Sequence, residues 1–250
     1  MTNFALSPSL PYLLAGVCFL AAALYAAVGH GGASAYLAVM GLFGMAPQEM
    51  KPIALTLNIA VSALAFVAFW RAGHFRSNLF WPLVTTSIPA AFVGGWLSSS
   101  EAILKILLAL ALLFGAWRLL FRTQENSSPS SQPKSSICVG LGLGIGFLSG
   151  WIGIGGGIFL TPLLIFFGWA SAKNAAAISA AFICVNSIAG LAGFASKGGS
   201  LPNIAWFLLP AVLTGAWLGS RWGSRQASFP NLQRALALVL IIAAAKFAII

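Results

Sequence analysis

The sequence predicts an all-α polytopic membrane protein whose two homologous halves are inverted repeats. Three observations predict it: apolar runs long enough to cross a bilayer, a polar linker near the centre, and two glycine-rich breaks in corresponding places. Hydrophobic residues make up 60% of the chain and charged residues 6%, with a mean hydropathy of +0.95. A soluble domain carries about 25% charged residues. The runs are continuous rather than alternating, which excludes a membrane β-barrel. Each half holds three full spans, of about 20 residues each, and one glycine-broken or re-entrant segment.

Residues 1–122 are the first repeat. Met1–Pro11 has no Lys or Arg, so a cleaved signal peptide is not expected and the first helix is retained. Ser9–Val28 is long enough to span. Gly29-His30-Gly31-Gly32 interrupts it, and Ala33–Met45 is a short apolar piece. Ala46–Pro52 reads as a polar loop with two prolines. Ile53–Trp70 spans and ends in the basic loop Arg71–Arg76. Leu79–Leu97 spans, with kinks expected at Pro82 and Pro89. Ser98–Glu101 reads as a turn and helix N-cap, and Ala102–Phe121 spans again.

Residues 123–136 are rich in Ser and Pro and lack apolar side chains, the composition of a flexible linker in water. Residues 137–250 then repeat the pattern. Ile137–Trp151 carries the small-residue pairs Gly140/Gly144, Gly142/Gly146 and Gly146/Gly150, expected to pack helices closely. The second break holds Gly153, Gly155, Gly156 and Gly157. After it come Ile158–Phe167, Gly168–Lys173, Ala175–Ala195, Lys197–Pro202, Ala205–Leu218 and Leu232–Ile250. Pro210 answers Pro89, and Ala211–Leu218 aligns with Ala90–Leu97. The whole is an internal duplication.

Charge placement separates parallel from inverted repeats. With an odd number of passes per half and both termini outside, the cytoplasmic set is Arg71, Arg76, Arg118, Arg122, Lys134, Lys173, Arg221, Arg225 and Arg234. That leaves Lys51, Lys105, Lys197 and Lys246 outside, nine against four, whereas the best even-parity arrangement gives seven against six. The acidic residues are Glu49, Glu101 and Glu125, and the net charge is +10. The cytoplasmic Lys/Arg bias of membrane proteins accounts for that excess. A basic protein with no intramembrane carboxylate also suits an anionic substrate.

The glycine breaks carry the chemistry. Irregular backbone at membrane depth survives only where it lines a protein cavity. Consecutive glycines let backbone N–H groups converge on a ligand. The helix that follows each break turns its positive end towards that cavity. The candidate substrate-binding residues are Gly29, His30, Gly31, Gly32 and Ser34 in the first half, and Gly153, Gly155, Gly156, Gly157 and Thr161 in the second. Asn58, Asn186 and Ser187 join them from the long apolar segments. Each asparagine either bonds a broken-helix backbone or faces the substrate. His30 is a structural hydrogen-bonding group, a proton relay or an anion donor. Lys51 and Lys173 follow the short helices and either guide anions or are solvated surface charges, and His74 reads as solvated.

Other classes find little support in these residues. Cys18, Cys138 and Cys184 lie apart and read as small buried hydrophobes. No catalytic residue, metal or cofactor is expected, since there is no nucleophile–base pair, no His/Cys cluster and no phosphate-binding G-x-x-x-x-G-K-[ST]. The expected partners are a small anion and membrane lipid, without nucleic acid, and a homo-oligomer is left open. An anion channel, a membrane-embedded enzyme and an assembly factor stand as rivals to a transporter.

Gly153-Ile154-Gly155-Gly156-Gly157 followed by Thr161-Pro162, with Ser179 and Asn186-Ser187-Ile188-Ala189-Gly190, resembles the sulfite exporter TauE/SafE family. Leu57-Asn58 followed by Arg71-Ala72-Gly73-His74-Phe75 is similar to that family as well. The likeness covers nearly the whole chain. It implies an inner-membrane permease for a small sulfur-containing anion such as sulfite, sulfoacetate or a related organosulfonate, usually moved outward. The first break departs from the pattern at His30, at Ala33 and at Ala38, which stands where the second half has Pro162.

Overall fold

The computed structural model describes residues 10–97, 100–120 and 133–225, and residues 238, 240–242, 244, 245 and 248 of the last apolar run. Nine helices follow in order among them: α1 (Leu10–Ala27), α2 (Ala33–Leu42), α3 (Pro47–Arg71), α4 (Ser77–Trp96), α5 (Glu101–Leu120), α6 (Ser135–Ile152), α7 (Gly157–Phe166), α8 (Ala172–Ala195) and α9 (Ile204–Arg225). The described residues after 237 are also helical. Six of the nine helices, α1, α3, α4, α6, α8 and α9, are long and apolar enough to cross a membrane. Trp70, Trp81, Trp96 and Trp206 are exposed near helix ends, where indole rings settle at a membrane interface. The chain is an all-helical polytopic membrane protein.

Two boundaries differ from the sequence reading. Residues 47–52 are not loop but the first turns of α3, with Pro47 at the helix start. Proline suits that position because its missing N–H has no intrahelical partner there and its φ is already helical. The central linker also ends earlier, since Ser135 and Ser136 begin α6. Residues 121–132 of the linker, and the Leu232–Ile250 span apart from the residues named above, lie outside the described residues.

The halves exchange helices. α1 packs on α9 and α6 packs on α4, so the first helix of each half lies against the fourth helix of the other. Glycines set how close they come. A Cβ on Gly142, Gly146 or Gly150 would strike the backbone of Leu83, Ser87 or Ala91, and one on Gly215, Gly219 or Gly223 would strike that of Phe19, Ala23 or Ala27. In both pairs the contact positions climb together, so the paired helices run in the same direction. Gly140 and Gly144 face open space, so only one of the small-residue stripes on α6 is used. The α9 stripe carries the same spacing.

α3 and α8 cross at the centre and run in opposite directions. Leu55 lies near Gly190, Asn58 bonds Ser187, and Phe69 packs with Ala176 and Ala177. Corresponding positions on the two are 125 residues apart: Asn58 and Ile183, Ser62 and Ser187, and the left-handed glycines Gly73 and Gly198 that follow each helix.

Candidate functional site

Both breaks sit beside the middle of α3 and α8. The first runs from Val28 to Gly32 and turns the chain from α1 into α2. The Tyr25 carbonyl accepts from His30 N at 2.8 Å and from Val28 N at 3.1 Å. Gly29 and Gly32 have φ of 76° and 91°, and their counterparts Gly153 and Gly156 have φ of 88° and 83°. The two breaks therefore turn alike at both ends. Between those ends they differ, because Gly155 has a φ of 82° whereas Gly31 is not left-handed. L side chains rarely adopt such values.

Each break docks on the long helix of the other half. Gly29 rests on Ala176 of α8 and Gly153 rests on Lys51 of α3. Asn58 braces both breaks from one fully buried position on α3. Its Oδ1 accepts from Ala33 N at 3.1 Å, the first N–H of α2. Its Nδ2 donates to the Ile154 carbonyl at 3.0 Å and to Ser187 Oγ at 3.3 Å. Of the two roles open to Asn58, it takes the backbone one. Ile183 occupies the corresponding place on α8, and its side chain also lies against both Gly31 and Gly155.

A small cavity, with room for about one water molecule, lies between the breaks, lined by Tyr25, His30, Gly31, Gly32, Ala33, Ser34, Ile154, Ile158 and Ile183. The first turns of α2 and α7 both border it. First-turn N–H groups have no intrahelical acceptor, so two positive helix ends face one space. Ser34 Oγ and Tyr25 Oη pair at 2.7 Å on its wall. Among the described residues no three His, Cys, Asp or Glu side chains gather to hold a metal ion.

His30 links the first break to the second half. Its Nδ1 lies 3.0 Å from the Val28 carbonyl. A carbonyl only accepts, so Nδ1 carries a proton. Its Nε2 lies 3.2 Å from Thr161 Oγ1, and Thr161 donates onward to Ser179 Oγ at 2.7 Å. With that donation made, Thr161 is left to accept from Nε2, which an imidazolium satisfies. A neutral ring requires Thr161 to turn its proton back to Nε2.

The site residues read from the sequence thus divide by place. His30, Gly31, Gly32 and Ser34 line the cavity. Thr161 touches it through His30. Asn58, Ser187, Gly29, Gly153, Gly155 and Gly157 hold its walls together. Gly156 turns away towards Phe182, Ile145 and Ser149. Asn186 is not brought to the breaks: its Nδ2 donates to the Phe182 carbonyl one turn back at 2.8 Å, and its buried Oδ1 has no hydrogen-bond partner.

Sequence reasoning missed four features. Tyr25 is a polar tip in an apolar run, a type of group that seeks a partner when buried, and that was the available signal. Ile183 carries no signal, because its importance lies in where it packs. Lys51 is not solvated: it is 6% exposed, while Lys173 is exposed as read. Nor is His74 merely solvated. It is half-buried, its carbonyl accepts from Asn174 Nδ2 at 2.9 Å, and burial, then the nearby Lys173, hold its ring below the usual imidazole range.

Comparison with known proteins agrees with this architecture. The family model described as sulfite exporter TauE/SafE matches residues 14–247. The probable membrane transporter protein y4hK of Sinorhizobium fredii (strain NBRC 101917 / NGR234) is 35% identical over 239 residues, covering 93% of this chain and 96% of that protein. The probable membrane transporter protein MJ0441 of Methanocaldococcus jannaschii is 28% identical over 184 residues, covering 70% of this chain and 68% of its own. The probable membrane transporter protein MamO of Magnetospirillum gryphiswaldense is 24% identical over 235 residues, covering 78% of this chain and 37% of that longer protein. No solved structure matches.

Proposed function

Since the chain belongs to the sulfite exporter TauE/SafE family and is a multi-pass plasma-membrane transporter, we propose that it exports a small sulfur-containing anion, sulfite or an organosulfonate, through the cavity between its two breaks. The observation that carries this reading is that cavity: two helix N-termini meet in it, its polar groups are hydroxyls, a histidine and backbone, and no carboxylate lines it. Such a lining favours negative charge. The antiparallel packing of α3 on α8, at corresponding positions, supports inverted halves that expose one site to each side in turn.

Export needs no bound coupling ion. An inside-negative potential drives a monovalent anion outward by about 2.3 kcal/mol per 100 mV. The test is counterflow in proteoliposomes against sulfite, sulfate, thiosulfate, sulfoacetate and chloride. Saturable exchange of sulfite or sulfoacetate is expected, and exchange of chloride alone would overturn the substrate assignment. An uncoupled anion channel differs in a measurable way: its flux does not saturate and shows no counterflow.

A further inference from the structure

A charge without a carboxylate to meet it lies in the second turn of α3. Lys51 is 6% exposed, and its Nζ donates to the carbonyls of Gly95 at 3.1 Å and Gly94 at 3.4 Å. These carbonyls belong to the last turn of α4, the negative end of that helix. Desolvating an ammonium costs several kcal/mol even after relaxation, and two neutral carbonyls leave one of its three N–H donors to be met. Acidic residues are scarce here. Glu49 stands two positions away, a spacing that does not place two side chains together on a helix.

The other half of the protein supplies an internal control. A Cβ on Gly153 would stand 3.0 Å from the Lys51 Cγ, so the second break rests on the lysine stem. The first break rests through Gly29 on Ala176. Lys51 and Ala176 are 125 residues apart, the separation that relates Asn58 to Ile183. An alanine is therefore enough to seat a glycine break on a long helix, and seating the break does not account for the charge. The same end carries a second cation, Lys197, whose Nζ lies 4.5 Å from the centre of the Trp96 ring, next to Gly95.

We propose that Lys51 is a specificity-determining residue, the fixed counter-charge that an anion meets as it passes the second break, and that it makes the two faces of the path unequal. This rests on the permease reading above. An anion arriving at Gly153 stands beside the Lys51 stem, and Nζ exchanges its 3.4 Å contact with the Gly94 carbonyl for a hydrogen bond in which both partners are charged. An anion at the opposite face passes Ala176, where the cation one turn away, Lys173, is exposed rather than buried.

The test uses wild type, Lys51→Met, Lys51→Arg and Ala176→Lys, purified and reconstituted in one orientation. Two quantities are read: the shift in melting midpoint as sulfite, sulfate, thiosulfate or chloride is titrated, and the half-saturating anion concentration for counterflow from each face. Lys51→Met should lose the anion-dependent shift and raise half-saturation about tenfold from the Lys51 face, with less than a twofold change from the other. Lys51→Arg should keep the shift. Ala176→Lys should lower half-saturation from the opposite face. Should Lys51→Met not be recoverable, Ala176→Lys decides alone.

Unchanged half-saturation and shift in Lys51→Met, or no gain in Ala176→Lys, would reduce Lys51 to a cap on α4. If wild type carries none of these anions yet is stabilised by one through Lys51, the permease reading falls and the anion site stands. If no anion is carried and none stabilises, both fall.

Discussion

Asn58 and Ile183 hold the same place in the two halves, and each touches both glycine breaks, yet only Asn58 can hydrogen-bond. One amide therefore ties the start of α2 in the first half to the Ile154 carbonyl in the second. Asn58→Ala leaves Ala33 N and the Ile154 carbonyl buried and unpaired, each costing about 1–3 kcal/mol. A clear fall in melting midpoint and at least a tenfold loss of anion counterflow are expected. Ile183→Val removes one methyl group and should cost only about 0.5–1.5 kcal/mol. Equal effects from the two would contradict the bracing role of Asn58.

Gly155 and Gly44 separate strain from collision. Both are left-handed, with φ of 82° and 80°. A Cβ on Gly44 meets nothing within 4 Å, whereas one on Gly155 meets the Asn58 amide, Ile183 and Ser187. Gly44→Ala should cost about 1–3 kcal/mol of backbone strain alone. Gly155→Ala adds the collision and should melt several degrees lower with transport lost. Differential scanning fluorimetry on the two variants checks it.

Gly156→Leu meets Phe182 and Ile145 away from the cavity. Transport should be abolished while the protein still inserts in the membrane, read by efflux from proteoliposomes against membrane-fraction abundance. Wild-type efflux would show that the turn at Gly156 is not needed for the path.

Thr161→Val is nearly isosteric and removes the hydroxyl between His30 and Ser179. His30 then keeps only the Val28 carbonyl among the partners described above. A fall in turnover of tenfold or more is expected with the melting midpoint within a few degrees of wild type. Transport at the wild-type rate would make the His30 linkage a bystander.

His74 lies in the loop between α3 and α4, outside the spans. Its folded-state ring is held below the usual imidazole range by burial and by Lys173, so protonation opposes folding. The stability this contributes is present above the unfolded value, near pH 6.5, and is lost as pH falls through the lower folded value. The ring is half exposed, so solvent screening keeps the effect small. Lys173→Met should narrow the gap between melting midpoints at pH 7.5 and pH 5; an unchanged gap would mean Lys173 does not act on His74.

Six spans and both breaks are legible in the sequence, because each is a local change in composition along the chain. What was not legible depends on which helix face meets which. A soluble helix reveals its buried face by alternating polar and apolar positions, but a helix in lipid is apolar all round. Nothing local therefore separates Gly142, which meets α4, from Gly140, which meets nothing. Asn186 resembled Asn58 in its surroundings, and only the packing shows that one serves the breaks while the other bonds its own helix. Lys51 was hidden by its neighbours Pro47 and Pro52, which suggest a loop until Pro47 is recognised as a helix start.

The docking of each break on the opposite half bears on how such a protein can diversify. In a dimer of two identical half-length chains, positions 58 and 183 would be the same residue, as would 51 and 176. Two amides would face each other across the centre, or none, and both faces would carry a lysine or neither. Fusion into one polypeptide frees the two copies to drift apart. An amide at position 58 without one at 183, and a lysine at position 51 without one at 176, are open to the joined pair and closed to the identical dimer.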